Sequence, residues 1–224
     1  MRANSPQVVA AILSILLVLG SGCKESTDPP TAHVVPDSSG IVTVKKPNIY
    51  LYPTERSSFS VQLKFPSGGK VIESIPAYRS GWQVDAEPNG RINGAYDYLF
   101  YECETPDLFQ YSSGWIVSRD SLAGFFERNL TETGFLEHER ADFLEYWIPL
   151  LGDHSAYVIY PQYSPDIEPI VSVSFTRTPD SFLRLFYIIK GSESSGRSVK
   201  LNTPVIPSFE RKGFAVTEWG VVLK

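Results

Sequence analysis

Cysteine, methionine and histidine are scarce in this chain: two, one and three residues among 224. Two cysteines, Cys23 and Cys103, allow at most one disulfide, which excludes a small scaffold held together by staples. His33, His138 and His154 are too few and too scattered to announce a metal centre, since a catalytic zinc site usually takes three protein ligands. Basic blocks are missing as well. The 20 Lys and Arg stand against 25 Asp and Glu, a formal charge of −5, without the clustered cations that phosphate binding draws on, so nucleic acid is not an expected partner. No G-x-S-x-G elbow, G-x-G-x-x-G turn or P-loop occurs, which leaves serine hydrolysis and nucleotide binding unsupported and no cofactor or metal expected. A second long apolar run is also lacking, so nothing after residue 19 reads as a membrane-spanning helix.

What is present near the start says more. Arg2 supplies a positive lead, residues 8–19 form an apolar run, and Gly20-Ser21-Gly22-Cys23 closes it with small residues and a cysteine. That order of basic, apolar and small segments is a secretory signal. With its cysteine the segment resembles the signal of bacterial lipoproteins, whose peptidase cuts just before a lipid-modified Cys. The resemblance implies a signal peptide over residues 1–22, acylation of Cys23, and an extracytoplasmic, membrane-anchored protein. Lys24 in place of an aspartate implies the outer membrane where the host has one. Removal of Arg2 with the leader takes Lys and Arg from 20 to 19 against 25 acids, a formal −6. Acylation of Cys23 also leaves Cys103 without an intrachain partner, as a small buried apolar residue.

Residues 23–45 read as a tether, rich in Pro, Ser, Thr and Asp with little to bury. As a coil it reaches roughly 25 Å, and at most about 70 Å fully extended. A single domain is expected over residues 46–224. Pro47 and Pro53 bracket a short aromatic run that suits an edge strand. Phe59, Val61, Leu63 and Phe65 alternate with polar residues as a half-buried strand, and residues 71–75 would return as its hairpin partner. Tyr78-Arg79-Ser80-Gly81-Trp82-Gln83-Val84 echoes Tyr111-Ser112-Ser113-Gly114-Trp115-Ile116-Val117 at five of seven positions, two corners that each deliver a Trp into a strand.

The period then changes. Leu122, Phe125, Phe126 and Leu130 recur at helical spacing, with Ser118 as the expected N-cap. A second helix starts near Glu137, carries Phe143, Leu144, Trp147, Ile148 and Leu151, and ends at Pro149. Strands return at residues 157–160 and 171–175, with Pro179-Asp180 expected to turn the latter into residues 182–189, the best candidate for a central strand. Residues 214–223 form the last. The fold class is α+β, a mainly antiparallel β-sheet system in two layers with an inserted αα-hairpin near residues 118–150.

Lys46-Pro47-Asn48-Ile49-Tyr50-Leu51-Tyr52-Pro53 resembles the opening signature of a family of mostly secreted bacterial and fungal proteins with no assigned activity. Glu210-Arg211-Lys212-Gly213-Phe214 with Glu218-Trp219-Gly220 resembles its closing signature. Tyr98-Leu99-Phe100-Tyr101-Glu102 and Tyr146-Trp147-Ile148-Pro149 resemble its internal landmarks. Tyr101 departs from a frequent Trp, and Val221 from a frequent Gly. The resemblance implies one co-folded domain and supplies no catalytic residues.

Two constellations carry candidate chemistry. His138-Glu139-Arg140-Ala141-Asp142 is an HExxH-like segment with Asp in place of the second His, and reads more simply as a solvated helix face. The more informative polar residues stand on apolar faces. Glu218 shares a strand face with Phe214 and Val216, Arg184 shares one with Phe182, Phe186 and Ile188, and Glu102 follows an aromatic strand. Buried charges are costly unless paired, so Arg184 or Arg211 is expected to neutralise Glu218 or Glu102. A pair of carboxylates in a cleft, with Trp219 and Tyr101 as a platform, is the competing reading and would make a glycoside-type or peptide hydrolase of the cell envelope. The expectation is a lipid-anchored binding or scaffolding module with a glycan or peptide ligand, without turnover, attached to the membrane through Cys23.

Overall fold

A computed structural model of the chain describes residues 40–193 and 200–224. The segment expected to be a signal peptide, Cys23 and most of the expected tether lie outside the described residues. Ten strands and three α-helices follow in order: β1 (Ile41–Tyr52), β2 (Ser57–Lys64), β3 (Lys70–Ile75), β4 (Trp82–Ala86), β5 (Leu99–Pro106), β6 (Trp115–Ser118), α1 (Leu122–Thr133), α2 (Glu137–Trp147), β7 (Ala156–Tyr163), α3 (Ser164–Ile167), β8 (Ser172–Phe175), β9 (Ser181–Ser192) and β10 (Ala215–Leu223). The larger sheet runs β3-β5-β1-β10-β9-β7-β6 and the smaller one β4-β2-β8. Every pairing between these strands is antiparallel except β9 with β10. Strand β1 begins five residues before the expected start of the domain.

Side-chain alternation sorts the core into two halves. Ile49, Leu51, Phe186, Ile188, Val216 and Val222 point to one face of the large sheet, where they meet Phe59, Val61, Trp82 and Val84 of the small sheet. Tyr50, Leu185, Tyr187, Ile189, Trp219 and Val221 point to the other, where they meet Phe126, Leu130, Phe143 and Trp147 of the helix pair. The two sheet layers and the αα-hairpin therefore stand as expected, with the helices as a third layer. Phe143 is the centre of the helix side, its ring 5.0 Å from Phe126, 5.7 Å from Tyr187 and 5.2 Å from Trp219 by centroid. Among the described residues no helix is long and apolar enough to cross a membrane.

Several local expectations are corrected. Strand β1 is interior, not an edge, because Pro47 falls where the register slips between Lys45 and Asn48, so its missing donor interrupts no regular ladder. Strand β3 pairs with β5 and not with β2. Pro179-Asp180 makes no hairpin, since β8 and β9 belong to different sheets, and the Asp180 carboxylate instead accepts from the Phe214 backbone N–H at 2.7 Å. Ser118 does not cap α1. Its hydroxyl donates to Ser121 Oγ, and a 3-10 turn over Arg119–Ser121 leads into the helix. Gly134 ends α1 in the left-handed region, where its N–H reaches the carbonyls of Leu130 and Thr131. Gly220 sits in a tight place: a Cβ there would stand 3.0 Å from the Phe186 ring and 3.2 Å from Pro47, so those side chains would have to give way.

Candidate functional site

The conspicuous charges of the sequence fall into two buried nodes and one open cleft. In the first node Glu218 and Arg184 are direct neighbours across the parallel β10–β9 pair. Arg184 Nε donates to Glu218 Oε2 at 2.5 Å and Tyr101 Oη to Glu218 Oε1 at 2.6 Å. Arg184 also reaches Glu168 at 2.9 Å and the Val171 carbonyl at 2.7 Å. Burial is the largest single influence and works against the guanidinium charge, but Glu218, Tyr101 and Glu168 together outweigh it and raise the Arg184 pKa. Burial first, then Glu218, pushes the Tyr101 phenol well above its ordinary value. This is the expected structural pair, and it leaves no opening for a substrate.

The paired-carboxylate reading is corrected by the same geometry. Glu218 is fully buried among the residues between the sheets. Glu102 follows Tyr101 on β5, so its side chain leaves by the opposite face. The two carboxylates share no cleft. Trp219 and Tyr101 are also fully buried, so neither forms an exposed platform.

The second node gathers residues from both ends of the domain onto α2. Glu139 has no exposed surface. Its carboxylate accepts from Tyr52 Oη at 2.8 Å, Thr217 Oγ1 at 2.6 Å, Arg211 Nη2 at 2.6 Å and the Leu136 N–H at 2.6 Å. Its carbonyl accepts from Trp219 Nε1 at 3.1 Å. Arg211 thus neutralises Glu139, and not Glu102 or Glu218. The HExxH-like segment is not a wholly solvated face, because Glu139 turns inward while His138 meets Tyr52 Oη at 2.8 Å and Asp142 accepts from Tyr50 at 2.8 Å. Among the described residues no three His, Cys, Asp or Glu side chains are arranged to hold a metal. Four donors on one carboxylate make a fully satisfied clasp, which fixes α2 to β1 and β10.

The open site lies beside this clasp, over β1, β3 and β5. It is a cleft of about 450 Å³. Lys46, Glu73, Glu102, Tyr96, Tyr98, Phe100 and Tyr146 all line it. Lys46 has φ 54, a left-handed conformation that side chains rarely adopt, and it precedes a proline, which favours extended backbone. The slip in both β1 ladders at this point aims its side chain into the cleft. There Nζ lies 4.8 Å from the Tyr98 ring centroid, 5.0 Å from Phe100 and 5.3 Å from Tyr146. It donates to Tyr98 Oη at 3.3 Å and Asn48 Oδ1 at 3.4 Å. Burial pulls the Lys46 pKa below its ordinary value, and the charges of Asp142 and Glu102 offset part of that effect.

Comparison with family models, with curated proteins and with solved structures finds no match. The cleft must therefore be read from its own chemistry. Its partly exposed rings offer stacking surface, its lysine a fixed positive group, and Glu73 and Glu102 two hydrogen-bond acceptors. Of the residues singled out in the sequence only Glu102 belongs to it. Lys46, Glu73, Tyr98 and Tyr146 were missed as site residues, although Lys46 heads the opening signature; a lysine directly before proline in an aromatic run is the one local signal that pointed there.

Proposed function

We propose that this chain is an envelope-anchored binding module, tethered through Cys23 outside the cytoplasm, whose ligand enters the cleft at Lys46. The order of residues 2–24 supports the anchor, and Lys24 supports the outer membrane as its location where the host has one. The observation that carries the binding site is Lys46 itself. A non-glycine residue in this backbone region costs on the order of 1–3 kcal/mol, and such strain persists where the surroundings hold it for a task. Here the strained residue places a partly desolvated ammonium among three rings at the floor of an open cleft. The reading is one of binding without turnover, because the buried carboxylates are committed to structural partners.

Two measurements test the two parts. Cys23→Ala should release the protein from the membrane or leave it unprocessed; a processed, membrane-bound mutant contradicts the anchor. For the cleft, a photo-crosslinking amino acid at Tyr146 should give adducts in intact cells that the same group at Ile116, on exposed β6, does not. Adducts at Tyr146 should weaken when Lys46 is replaced by Asn. Equal labelling at both positions, or none, rejects the cleft as the ligand site.

A further inference from the structure

We infer that the free edge of β3 takes an extended peptide as an added strand, with a lysine or arginine side chain of that peptide seated between Glu73 and Glu102. The inference rests on the reading of the cleft as the ligand site and names what would occupy it. Strand β3 ends the large sheet, and among the described residues it is paired on one side only, to β5. Its edge is open to solvent: Ile72 is 45% and Ile75 53% exposed. A strand edge of this kind presents unpaired N–H and C=O groups that a second chain can satisfy.

Two concavities meet at this edge. The Lys46 cleft lies on the side of Glu73 and Ile75. A smaller hollow of about 290 Å³, lined by Val71, Ile72, Ala77 and Tyr78, also borders β3 and shares Glu73 with the cleft. An added strand sends successive side chains to opposite faces, so alternate residues would enter the cleft and the hollow. The hollow mixes apolar and polar lining, with Ser74 and Arg79 beside the apolar residues, and Arg79 disfavours a basic group there. The cleft offers charge.

That charge selects the occupant. Glu73 and Glu102 are opposed across the β3–β5 pair, an arrangement that destabilises a sheet when the charges are alike. No salt bridge or side-chain hydrogen bond to either carboxylate occurs among the described residues. Lys46 acts on Glu102 through its charge but makes no ion-pair contact with either carboxylate, its Nζ being bonded to Tyr98 and Asn48. A basic side chain arriving between them would relieve the repulsion and lie beside Tyr146, where an aromatic face also attracts a cation. A second copy of this chain fits poorly, because two copies would bring four carboxylates together. A glycan in the cleft would leave the edge of β3 unpaired.

The test uses the full chain in detergent and fluorescent decapeptides read by anisotropy. A peptide of alternating lysine and valine should bind saturably. The same composition as a block of five lysines followed by five valines should bind about tenfold more weakly, as should the alternating peptide N-methylated at the residues facing β3. Glu73→Gln and Glu102→Gln should each weaken the alternating peptide about tenfold. Equal binding of the alternating and block peptides, or no effect of N-methylation, overturns strand addition. Undiminished binding to both Gln variants overturns the placement of the basic group. If no peptide binds while Tyr146 still crosslinks in cells, and soluble envelope glycan competes the adduct away, this inference fails and the cleft reading stands. Loss of both signals removes both.

Discussion

The two buried nodes and the open cleft treat carboxylates in opposite ways. Glu218 and Glu139 have no exposed surface, and each meets an arginine and further donors at 2.5–2.8 Å. Glu73 and Glu102 line an open cleft, face one another across two strands and have no salt bridge or side-chain hydrogen bond among the described residues, Lys46 acting on Glu102 only through its charge. Inside the core an uncompensated charge costs several kcal/mol, so the fold surrounds every buried carboxylate with donors. At the cleft solvent screens the same charge, and leaving it unpaired costs little. The lesson is that a charge on an apolar strand face announces structure here, while a charge the fold leaves unpartnered is the better sign of a ligand.

The largest break in that contrast comes from the buried pair. Glu218→Leu should lower unfolding free energy by about 3–5 kcal/mol, because it removes the buried partner of Arg184 and leaves only the half-exposed Glu168 to offset its charge. Adding Arg184→Met should recover part of the loss, since it removes the buried charge, while the Tyr101 hydroxyl and the Val171 carbonyl lose their partners and hold the recovery short of complete. Denaturant midpoints of the two variants decide it; a single mutant within 1 kcal/mol of wild type, about the usual span of surface changes, would mean that Glu218 is not the compensating charge. Lys46→Val ranks next. A branched Cβ on a left-handed residue should cost about 1–2 kcal/mol more than Lys46→Asn, which tolerates that backbone. Equal stabilities for the two would remove the strain argument. Tyr52→Phe should cost about 0.5–1.5 kcal/mol, since Thr217 still serves the same Glu139 oxygen; a thermal melt checks it, and a larger loss would make Tyr52 the main tie of the clasp.

Much of the fold was legible because it rests on periodicity. The alternation of Phe59, Val61 and Leu63, and the helical spacing of Leu122, Phe126 and Leu130, each reports a local geometry that burial then confirms. Strand partnership was not legible. Residues 71–75 look like the return arm of a hairpin, yet they join β5, since pairing depends on which distant strand completes the sheet. The candidate site split along the same line. Arg184 and Glu218 betray themselves by standing among apolar neighbours of their own strands, and they meet across one pairing. The cleft draws on β1, β3, β5 and α2, and its central residue is marked by a backbone angle that no sequence period encodes.

The smallest effect is the sharpest test of the contrast. If Glu73 and Glu102 repel without a partner, Glu73→Gln should stabilise the chain by about 0.2–1 kcal/mol, the usual size of a cross-strand charge term. Glu102→Gln should gain a similar amount. The double variant should gain no more than either single one, because both remove the same interaction, and that non-additivity separates repulsion from two unrelated local gains. The gain should shrink in high salt, since both groups are open to solvent. Urea midpoints at constant slope measure all three variants. A destabilising Glu73→Gln would mean that the carboxylate is already satisfied, and the cleft would then hold no charge waiting for a ligand. The expected outcome is a variant that folds more tightly and binds less, the pattern of a residue kept for recognition at a small cost in stability.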